Sequence, residues 1–380
     1  MQANDPHTDR LTELDNALFN AIKGIDILSA VAPLNYQEQK RAFFESQFSR
    51  SPEFVYASHD IDTFKKKREL FNLPIDELPD EDLVNLYSGI IESYVDKVDQ
   101  FKSIGTPKFL YDSMRYFGEP SDKDIRNANF ILHLPDSYQA KDSNLLAAPE
   151  IVSRFEQFAQ KEGYEYKIKL DDSMIANALV SGLQVKVNGA AQVSEFEVNA
   201  LAHHELGVHL LTTINGRNQP LRVLSVGCPV NTQTQEGLAI LSEYLAGYLT
   251  LSRLKILALR VLAVDSMIRE KDFKKTFLLL REQHNTQDDL AFTITARVYR
   301  GGGFTKDYLY LKGLHEILNA YETDPNFNYL LSGKVSLDYL PMITRLIDKQ
   351  YLVPPKLMTP AFAAPRENDA IHQFITHAIK

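Results

Sequence analysis

The chain has 380 residues, of which 41 are basic and 50 acidic, and the formal net charge of −9 disfavours a general nucleic-acid binder. Its 44% hydrophobic and 24% charged residues are typical of globular proteins, which excludes disorder of the whole chain. No apolar run approaches the roughly 18 residues that span a bilayer, the first residues do not resemble a secretory signal, and a lone cysteine, Cys228, excludes an internal disulfide. We therefore expect a cytoplasmic protein with neither nucleic-acid nor membrane partners. The oligomeric state stays open.

The first 105 residues are predicted to form a helical N-terminal region. Apolar residues between Leu83 and Val98 recur three and four positions apart, which is typical of a helix with one buried face, and Asp80 stands where that helix would begin. Weaker periodicity predicts helices at 11–27 and 37–48. No cluster of ionisable residues here indicates chemistry, so we interpret the region as a scaffold or lid.

The middle of the chain contains the strand patterns. Apolar and polar residues alternate at 164–170 and again at 183–187, which predicts two half-buried strands. A short apolar run at 130–134 predicts a third strand. Because these few strands lie among helical segments, we expect a small sheet covered by helices.

The last stretch is again predicted to be helical. Helices are expected at 289–300 and 306–321, on either side of the three consecutive glycines at 301–303. A proline-rich segment at 353–365 interrupts regular structure, and a short helix is predicted to follow from Glu367.

One predicted helix carries the residues that indicate chemistry. Ser194 can cap its start while Glu197, three residues later, reaches back to the backbone, and this pair is the signature of a capping box. We expect the helix to end near Asn215-Gly216. His204, Glu205 and His209 therefore lie on one helix.

The spacing of the two histidines is unusual for a metal-binding helix. His204-Glu205-x-x-x-His209 is one residue longer than the H-E-x-x-H pattern of zinc peptidases. Side chains five residues apart on an α-helix diverge by about 140°, so a regular helix cannot direct both imidazoles to one ion. A π-type turn pairs residues five apart, and Gly207 lies where such a distortion costs least. We predict a bulge or local break at Gly207.

A third candidate ligand follows on the next predicted helix. Thr232 and Gln235 form a second apparent capping box, which would put Glu236 in the first turn of that helix. Two histidines and a glutamate with an open fourth position are a pattern of catalytic zinc, and Glu205 would then be the general base. The alternative is a polar surface patch in which Glu236 merely favours the helix N-terminus. The spacing alone leaves both open.

Two motifs together resemble a known family. His-His-Glu-Leu-Gly-Val-His at 203–209 and Gln-Glu-Gly-Leu-Ala at 235–239 resemble the metallopeptidase family named for its QEGLA motif. Its animal members include the microtubule-associated tyrosine carboxypeptidase, and its bacterial members are often labelled as modulators of flavohemoglobin expression. Further similarity lies at 109–121 and 297–307, and it extends from about residue 25 to the end of the chain.

The resemblance implies a zinc-dependent metallocarboxypeptidase that acts on the C-terminus of a peptide or protein, with tyrosine or another aromatic residue as a candidate leaving residue. The family's zinc ligands fall on His204, His209 and Glu236, and its catalytic glutamate falls on Glu205. The implied fold is α+β: a mostly helical, zincin-like metallopeptidase with a small mixed sheet and the HExxxH active-site helix.

These expectations divide the chain into three parts. The helical N-terminal region covers 1–105, and a zincin-like catalytic domain is expected at 106–350. The proline-rich segment and C-terminal helix at 351–380 are expected to pack on the catalytic domain.

A carboxypeptidase must also recognise the terminal carboxylate of its substrate. Arg297, Arg300 and Lys306 surround the three glycines, just before a helix that Thr305 could cap, and an arginine fork or a glycine loop at a helix N-terminus suits a carboxylate. We therefore predict that these three cations bind substrate. A plain turn with solvated charges is the competing interpretation.

Two other functions remain open at this point. One is an aminopeptidase or endopeptidase on the same zinc site, which an acidic cluster for the substrate amine would favour. The other is a non-catalytic regulatory protein with structural zinc, which a closed fourth ligand would favour.

Overall fold

The computed structural model describes residues 6–58, 61–135, 144–172, 174–229 and 231–380 of the chain. Most of these residues are helical and a small sheet accompanies them, so the predicted α+β class is confirmed. The helices are α1 Pro6–Ile22, α2 Ile27–Ala30, α3 Tyr36–Glu45, α4 Thr63–Phe71, α5 Glu81–Ser103, α6 Lys108–Phe117, α7 Asp122–His133, α8 Ala148–Glu162, α9 Glu195–Leu201, α10 Leu211–Arg217, α11 Asn231–Leu245, α12 Leu251–Glu270, α13 Phe273–Leu278, α14 Asp288–Tyr299, α15 Leu309–Thr323, α16 Leu340–Asp348, α17 Pro360–Ala363 and α18 Ala370–Ala378.

Five short strands form two small sheets. The first pairs β1 with β5 in antiparallel register, and the second has the order β2-β4-β3, with β2 parallel and β3 antiparallel to the central β4. The strands are β1 Leu145–Ala147, β2 Lys167–Leu170, β3 Ala178–Ser181, β4 Gln184–Val187 and β5 Gln192–Ser194. The three-stranded sheet is therefore mixed, as predicted, and β2 and β4 occupy the two alternating segments.

The helices with the strongest sequence signals are confirmed. The stripe that begins at Leu83 lies on α5, where Leu83, Leu86 and Ile90 are fully buried and the Asp80 side chain accepts a hydrogen bond from the Asp82 amide. The capping box of Ser194 and Glu197 forms at the start of α9. In α5 and α9, the local sequence pattern and the observed burial both favour a helix.

The strand predicted at 130–134 is wrong. Residues up to His133 belong to α7, which begins with a capping box of Ser121 and Asp124. Within this helix, Ala128 and Ile131 are buried three residues apart. A short apolar run fits a strand or a buried helix equally well by periodicity, and here the cap upstream decides for the helix.

The second predicted capping box is also wrong. α11 already begins at Asn231, so Thr232 is inside the helix, and the Gln235 side chain instead accepts a hydrogen bond from the Thr212 hydroxyl at 2.9 Å. Glu236 consequently lies in the second turn of α11, not in the first. The helix C-terminal to the proline-rich segment exists, but it begins at Ala370.

α11 is the central helix of the protein. Every residue from Thr234 to Leu245 is buried, as expected for a helix that is surrounded by other elements on all sides. It packs against α15, where Gly237 and Gly313 face each other so closely that a Cβ on either glycine would meet the backbone of the other helix. This close approach fixes the position of α11, and therefore of Glu236, relative to the neighbouring histidines.

One hydrophobic core connects the described parts of the chain. Its buried residues run from Leu11 through α11 to Ile379, so all three predicted parts contribute to it. The division at residues 105 and 350 stays a prediction. Among the described residues, no helix combines the length and apolar content needed to cross a membrane.

We predict that Gly237→Ala destabilises the protein. The added methyl group would meet the Gly313 carbonyl and the Ile317 side chain, so α11 and α15 must move apart, at a cost of about 1–3 kcal/mol in the free energy of unfolding. Urea denaturation measures this loss. Gly207→Ala is the matched control, since its nearest neighbours are 3.7 Å away and its stability should change by less than about 1 kcal/mol. Equal stability of both variants would contradict the close packing.

Candidate metal centre

The helix that carries the two histidines changes its winding at the site. Residues Ala202–Leu210 form a π-helical segment between α9 and α10, which confirms the distortion predicted around Gly207. This wider winding brings residues five apart onto one face. The rings of His204 and His209 lie 5.0 Å apart between centroids, with their planes at 78°.

Side chains from other parts of the fold satisfy carbonyl groups of this segment. The Ser242 hydroxyl donates to the His203 carbonyl at 3.2 Å, and the Thr359 hydroxyl donates to the Gly207 carbonyl at 2.9 Å. The Lys334 ammonium donates to the His209 carbonyl at 2.8 Å. Because a π turn disturbs the ordinary hydrogen-bond ladder, these external donors stabilise it.

Three ligand atoms converge at the centre of the site. The Glu236 Oε2 atom lies 3.5 Å from His204 Nε2 and 3.7 Å from His209 Nε2, and one ligand atom from each residue lies within 4.8 Å of the others. Both distances exceed a good hydrogen bond, and Glu236 Oε2 is buried without a hydrogen-bond partner among the described residues. The three side chains therefore face a common point.

The arrangement fits a divalent metal ion. Tetrahedral zinc with bonds of about 2.1 Å separates its ligand atoms by about 3.4 Å, close to the distances found here. Two imidazoles and one carboxylate are also ligands that zinc accepts. The orphaned Glu236 oxygen is the observation that favours a metal, because a buried charged oxygen without a partner is strongly unfavourable.

A buried glutamate orients the first histidine. His204 Nδ1 donates to Glu243 Oε1 at 2.7 Å, and Arg253 in turn donates to both Glu243 oxygens at 3.1 and 3.2 Å. Burial raises the pKa of Glu243, but Arg253 and His204 outweigh it and lower the pKa below its ordinary value. By accepting the hydrogen bond from Nδ1, this ionised carboxylate would leave Nε2 of His204 to bind a metal, a common support for metal-binding histidines.

The electrostatics keep Glu236 ionised. Burial raises the pKa of this carboxyl group, but Lys306 and the two facing histidines outweigh burial and hold the pKa well below its ordinary value. Lys306 Nζ donates to Glu236 Oε1 at 2.6 Å, so the other oxygen is left to face the histidines. Burial also lowers the pKa of His204, while Glu236 and Glu243 raise it to about 10. A metal ion at this site would displace that proton.

Glu205 lies beside the three converging residues. Its side chain is 7% exposed, and its Oε2 atom is buried without a hydrogen-bond partner among the described residues. Burial lowers the pKa of His209 and opposes the rise in the pKa of His204, and the charge of Glu205 acts against burial at both residues, which places it within electrostatic reach of the site. A carboxylate so placed is free to accept a proton.

The three cations predicted to bind substrate lie near the site, and each has different contacts within the protein. Arg297 donates to both oxygens of the fully buried Asp307, with Nε at 2.6 Å and Nη2 at 3.0 Å. Lys306 is bonded to Glu236 and to the Tyr310 hydroxyl. The Arg300 guanidinium lies 4.9 Å from the Phe304 ring centroid, and its Nε is buried without a hydrogen-bond partner among the described residues. Their assignment to substrate stays a prediction.

The glycine loop packs against the protein itself. Gly301, Gly302 and Gly303 all have positive φ, and a Cβ on each would meet α6 or the residues just before it. The Gly301 amide donates to the Tyr56 hydroxyl, and the Thr305 amide donates to the Ser113 hydroxyl. The idea that Thr305 caps the next helix is wrong, because its hydroxyl donates to the Ser113 carbonyl and no side chain of the described residues caps α15. The amides of Gly301 and Thr305 are not available to an anion.

Several residues of the site escaped the sequence interpretation. Lys334 lies in a loop with no motif around it, yet burial lowers its pKa to about 8 and it holds the end of the π segment. Arg253 and Arg260 have one recognisable signal in the sequence. They are seven residues apart on α12, which is two helical turns, so both lie on the same face of a largely apolar helix.

Comparisons with known proteins identify one family of similar sequences. The family model described as microtubule-associated tyrosine carboxypeptidase matches residues 41–380. The microtubule-associated tyrosine carboxypeptidase 1 of Rattus norvegicus is 24% identical over 335 residues, which cover 82% of this chain and 60% of that protein. The corresponding proteins of Mus musculus and Homo sapiens are 24% and 23% identical, with 82% and 84% of this chain covered. The chain spans about three fifths of the length of these relatives, 60% to 61%.

We predict that Glu243→Gln weakens metal binding. The substitution keeps the shape of the side chain but removes the charge that orients His204, so the affinity for zinc should fall about 10- to 100-fold. Competition with a chromogenic chelator measures the change. Glu282→Gln, on an exposed side chain that pairs with Arg281, is the control and should leave the affinity unchanged. An unaltered affinity in Glu243→Gln would show that this contact does not support the ligand.

Proposed function

Since the chain belongs to the microtubule-associated tyrosine carboxypeptidase family, we propose that it is a zinc-dependent carboxypeptidase that removes the last residue of a peptide or protein. The observation that carries the proposal is the convergence of His204, His209 and Glu236 on one point, with the buried Glu205 Oε2 atom, unpartnered among the described residues, beside them. The proposed fold is zincin-like in the sense that one helix supplies both histidines and the glutamate base. We propose the cytoplasm as the location.

The donor set defines what a metal would contribute. A zinc ion held by His204, His209 and Glu236 would act as a Lewis acid toward water and the scissile carbonyl group. Among the described residues, the group contains three ligand side chains, and catalytic zinc sites typically have three protein ligands. A structural zinc site would have a fourth protein ligand.

Glu205 carries the proton in this proposal. Its buried Oε2 accepts a proton from the attacking water and returns it to the nitrogen of the departing residue. No hydrogen bond within the described protein competes for that oxygen. Glu243 and Arg253 keep His204 in one orientation while this happens, and Lys306 fixes Glu236.

The charges beside the site favour a carboxypeptidase over an aminopeptidase. An aminopeptidase needs carboxylates for the substrate amine, whereas the neighbourhood of Lys306 is rich in buried arginines. A positive environment attracts the carboxylate end of a peptide. The names of the relatives specify tyrosine, so we propose a terminal aromatic residue as the preferred leaving residue.

We predict that Glu205→Gln strongly reduces hydrolysis while metal binding persists. The amide cannot accept the proton, so kcat/KM should fall on the order of 1000-fold, whereas the zinc content should stay that of the wild type because Glu205 is not a ligand. Peptide hydrolysis assays measure kcat/KM, and elemental analysis measures the zinc content. Glu195→Gln, on the exposed start of α9, is the matched control. Undiminished cleavage by Glu205→Gln would refute this mechanism.

The reaction type is tested with a peptide library of diverse C-termini. We expect mass spectrometry to find products shortened by one C-terminal residue, most rapidly where that residue is aromatic. A chelator should stop the reaction, and added zinc should restore it. Internal cleavage or N-terminal trimming would replace the proposal by another peptidase, and a zinc-loaded protein that leaves every peptide intact would favour the regulatory alternative.

A further inference from the structure

A group of buried charges lies next to the metal centre, and its charges do not balance. Arg260 on α12, together with Arg297, Arg300 and Asp307, is called the Asp307 cluster here. Asp307 is fully buried, and its pKa is held low by Arg297, Arg260 and Arg300, although burial alone would raise it. Three guanidinium groups therefore share one carboxylate, which leaves an excess of positive charge inside the protein.

Arg297 uses the whole of that carboxylate. It donates to both oxygens of Asp307 in the paired geometry that arginine and carboxylate prefer. Arg260 stays farther away, with its Nε 4.0 Å from the Asp307 Oδ2 atom. That Nε is buried and has no hydrogen-bond partner among the described residues. A buried guanidinium nitrogen without a hydrogen-bond partner is unfavourable unless an anion from outside joins it.

The Arg260 side chain is also the accessible member of the cluster. It is 13% exposed, whereas the Arg297 side chain is 8% exposed and that of Asp307 is fully buried. Burial, followed by repulsion from Arg297, lowers the pKa of Arg260 to about 9. The protein thus keeps a cation at the edge of the cluster in a position where its own groups do little to stabilise it.

Arg260 shares an aromatic neighbour, Tyr310, with Lys306. The Arg260 guanidinium carbon lies 5.3 Å from the ring centroid of Tyr310, and the Lys306 ammonium lies 4.5 Å from the same centroid. Lys306 in turn contacts Glu236 directly. A peptide whose last peptide bond lies at the metal centre has its terminal carboxylate about one residue away, a length that the series of contacts from Glu236 through Lys306 and Tyr310 to Arg260 can bring near this cluster.

We propose that Arg260 binds the α-carboxylate of the substrate's last residue and so determines that the enzyme acts on free C-termini. The inference rests on the proposed function. A guanidinium group can form two parallel hydrogen bonds with that carboxylate through its Nε edge, and the Nε of Arg260 has no partner in the described part of the chain. The same edge of Arg297 already binds Asp307, and Lys306 is a single ammonium group held by Glu236 and Tyr310. Arg300 adds to the positive potential at the cluster.

The test measures binding apart from catalysis. In the Glu205→Gln background with zinc, fluorescence anisotropy compares one tyrosine-ending peptide as the free acid and as the C-terminal amide. We expect the acid to bind on the order of 100-fold more tightly, and Arg260→Met to remove this preference while affinity for the amide stays the same. Arg260→Lys, which keeps the charge but loses the fork, should retain part of the preference. Arg269→Met, on the exposed part of the same helix, is the matched control.

Thermal unfolding separates a binding role from a structural one. Removing an uncompensated buried cation should leave the melting temperature of Arg260→Met unchanged or higher. A lower melting temperature would count against the proposal, and Arg260→Lys would then measure the carboxylate preference. A preference that survives in Arg260→Met, or equal loss of acid and amide binding, overturns the inference. Wild-type protein that cleaves neither peptide would instead refute the proposed function, while an acid preference dependent on Arg260 would still support the carboxylate site.

Discussion

The site depends on one extra residue between two histidines. Five positions separate His204 from His209, and only a widened helical turn directs both imidazoles to the same point. Such a turn disturbs the hydrogen bonds of its own backbone, so it needs donors from elsewhere. Ser242, Thr359 and Lys334 supply them from three distant parts of the chain. The metal centre is therefore a property of the assembled fold, although its ligands lie close together in the sequence.

The buried charges around this turn form pairs with distinct tasks. Glu243 with Arg253 orients His204, and Glu236 with Lys306 presents one oxygen to the histidines. In each pair the carboxyl pKa is lowered despite burial, because a cation lies within hydrogen-bond distance. The arginines around Asp307 depart from this rule, since positive charge exceeds negative charge there. Such imbalance costs stability, and proteins retain it where a ligand restores the balance.

The central helix α11 links the site to the rest of the core. It presents Glu236 toward the histidines and Glu243 toward His204, seven residues apart on one face. Its other side carries Gly237, which permits the close crossing with α15. The QEGLA sequence thus places a candidate ligand, Glu236, next to Gly237, the small residue that allows α15 to pack closely against α11 and position that ligand.

The sequence by itself determined the features whose causes are local. The apolar stripe of α5, the capping box at Ser194 and the incompatibility of the histidine spacing with a regular helix all follow from residues within a few turns of one another. The tertiary structure alone decided that the Gln235 side chain accepts a hydrogen bond from Thr212, and that Arg297 and Lys306 are paired with Asp307 and Glu236. These outcomes depend on which distant groups share a buried space, because a charged side chain takes the nearest partner that burial allows. The periodicity of the sequence does not indicate which distant group that partner is.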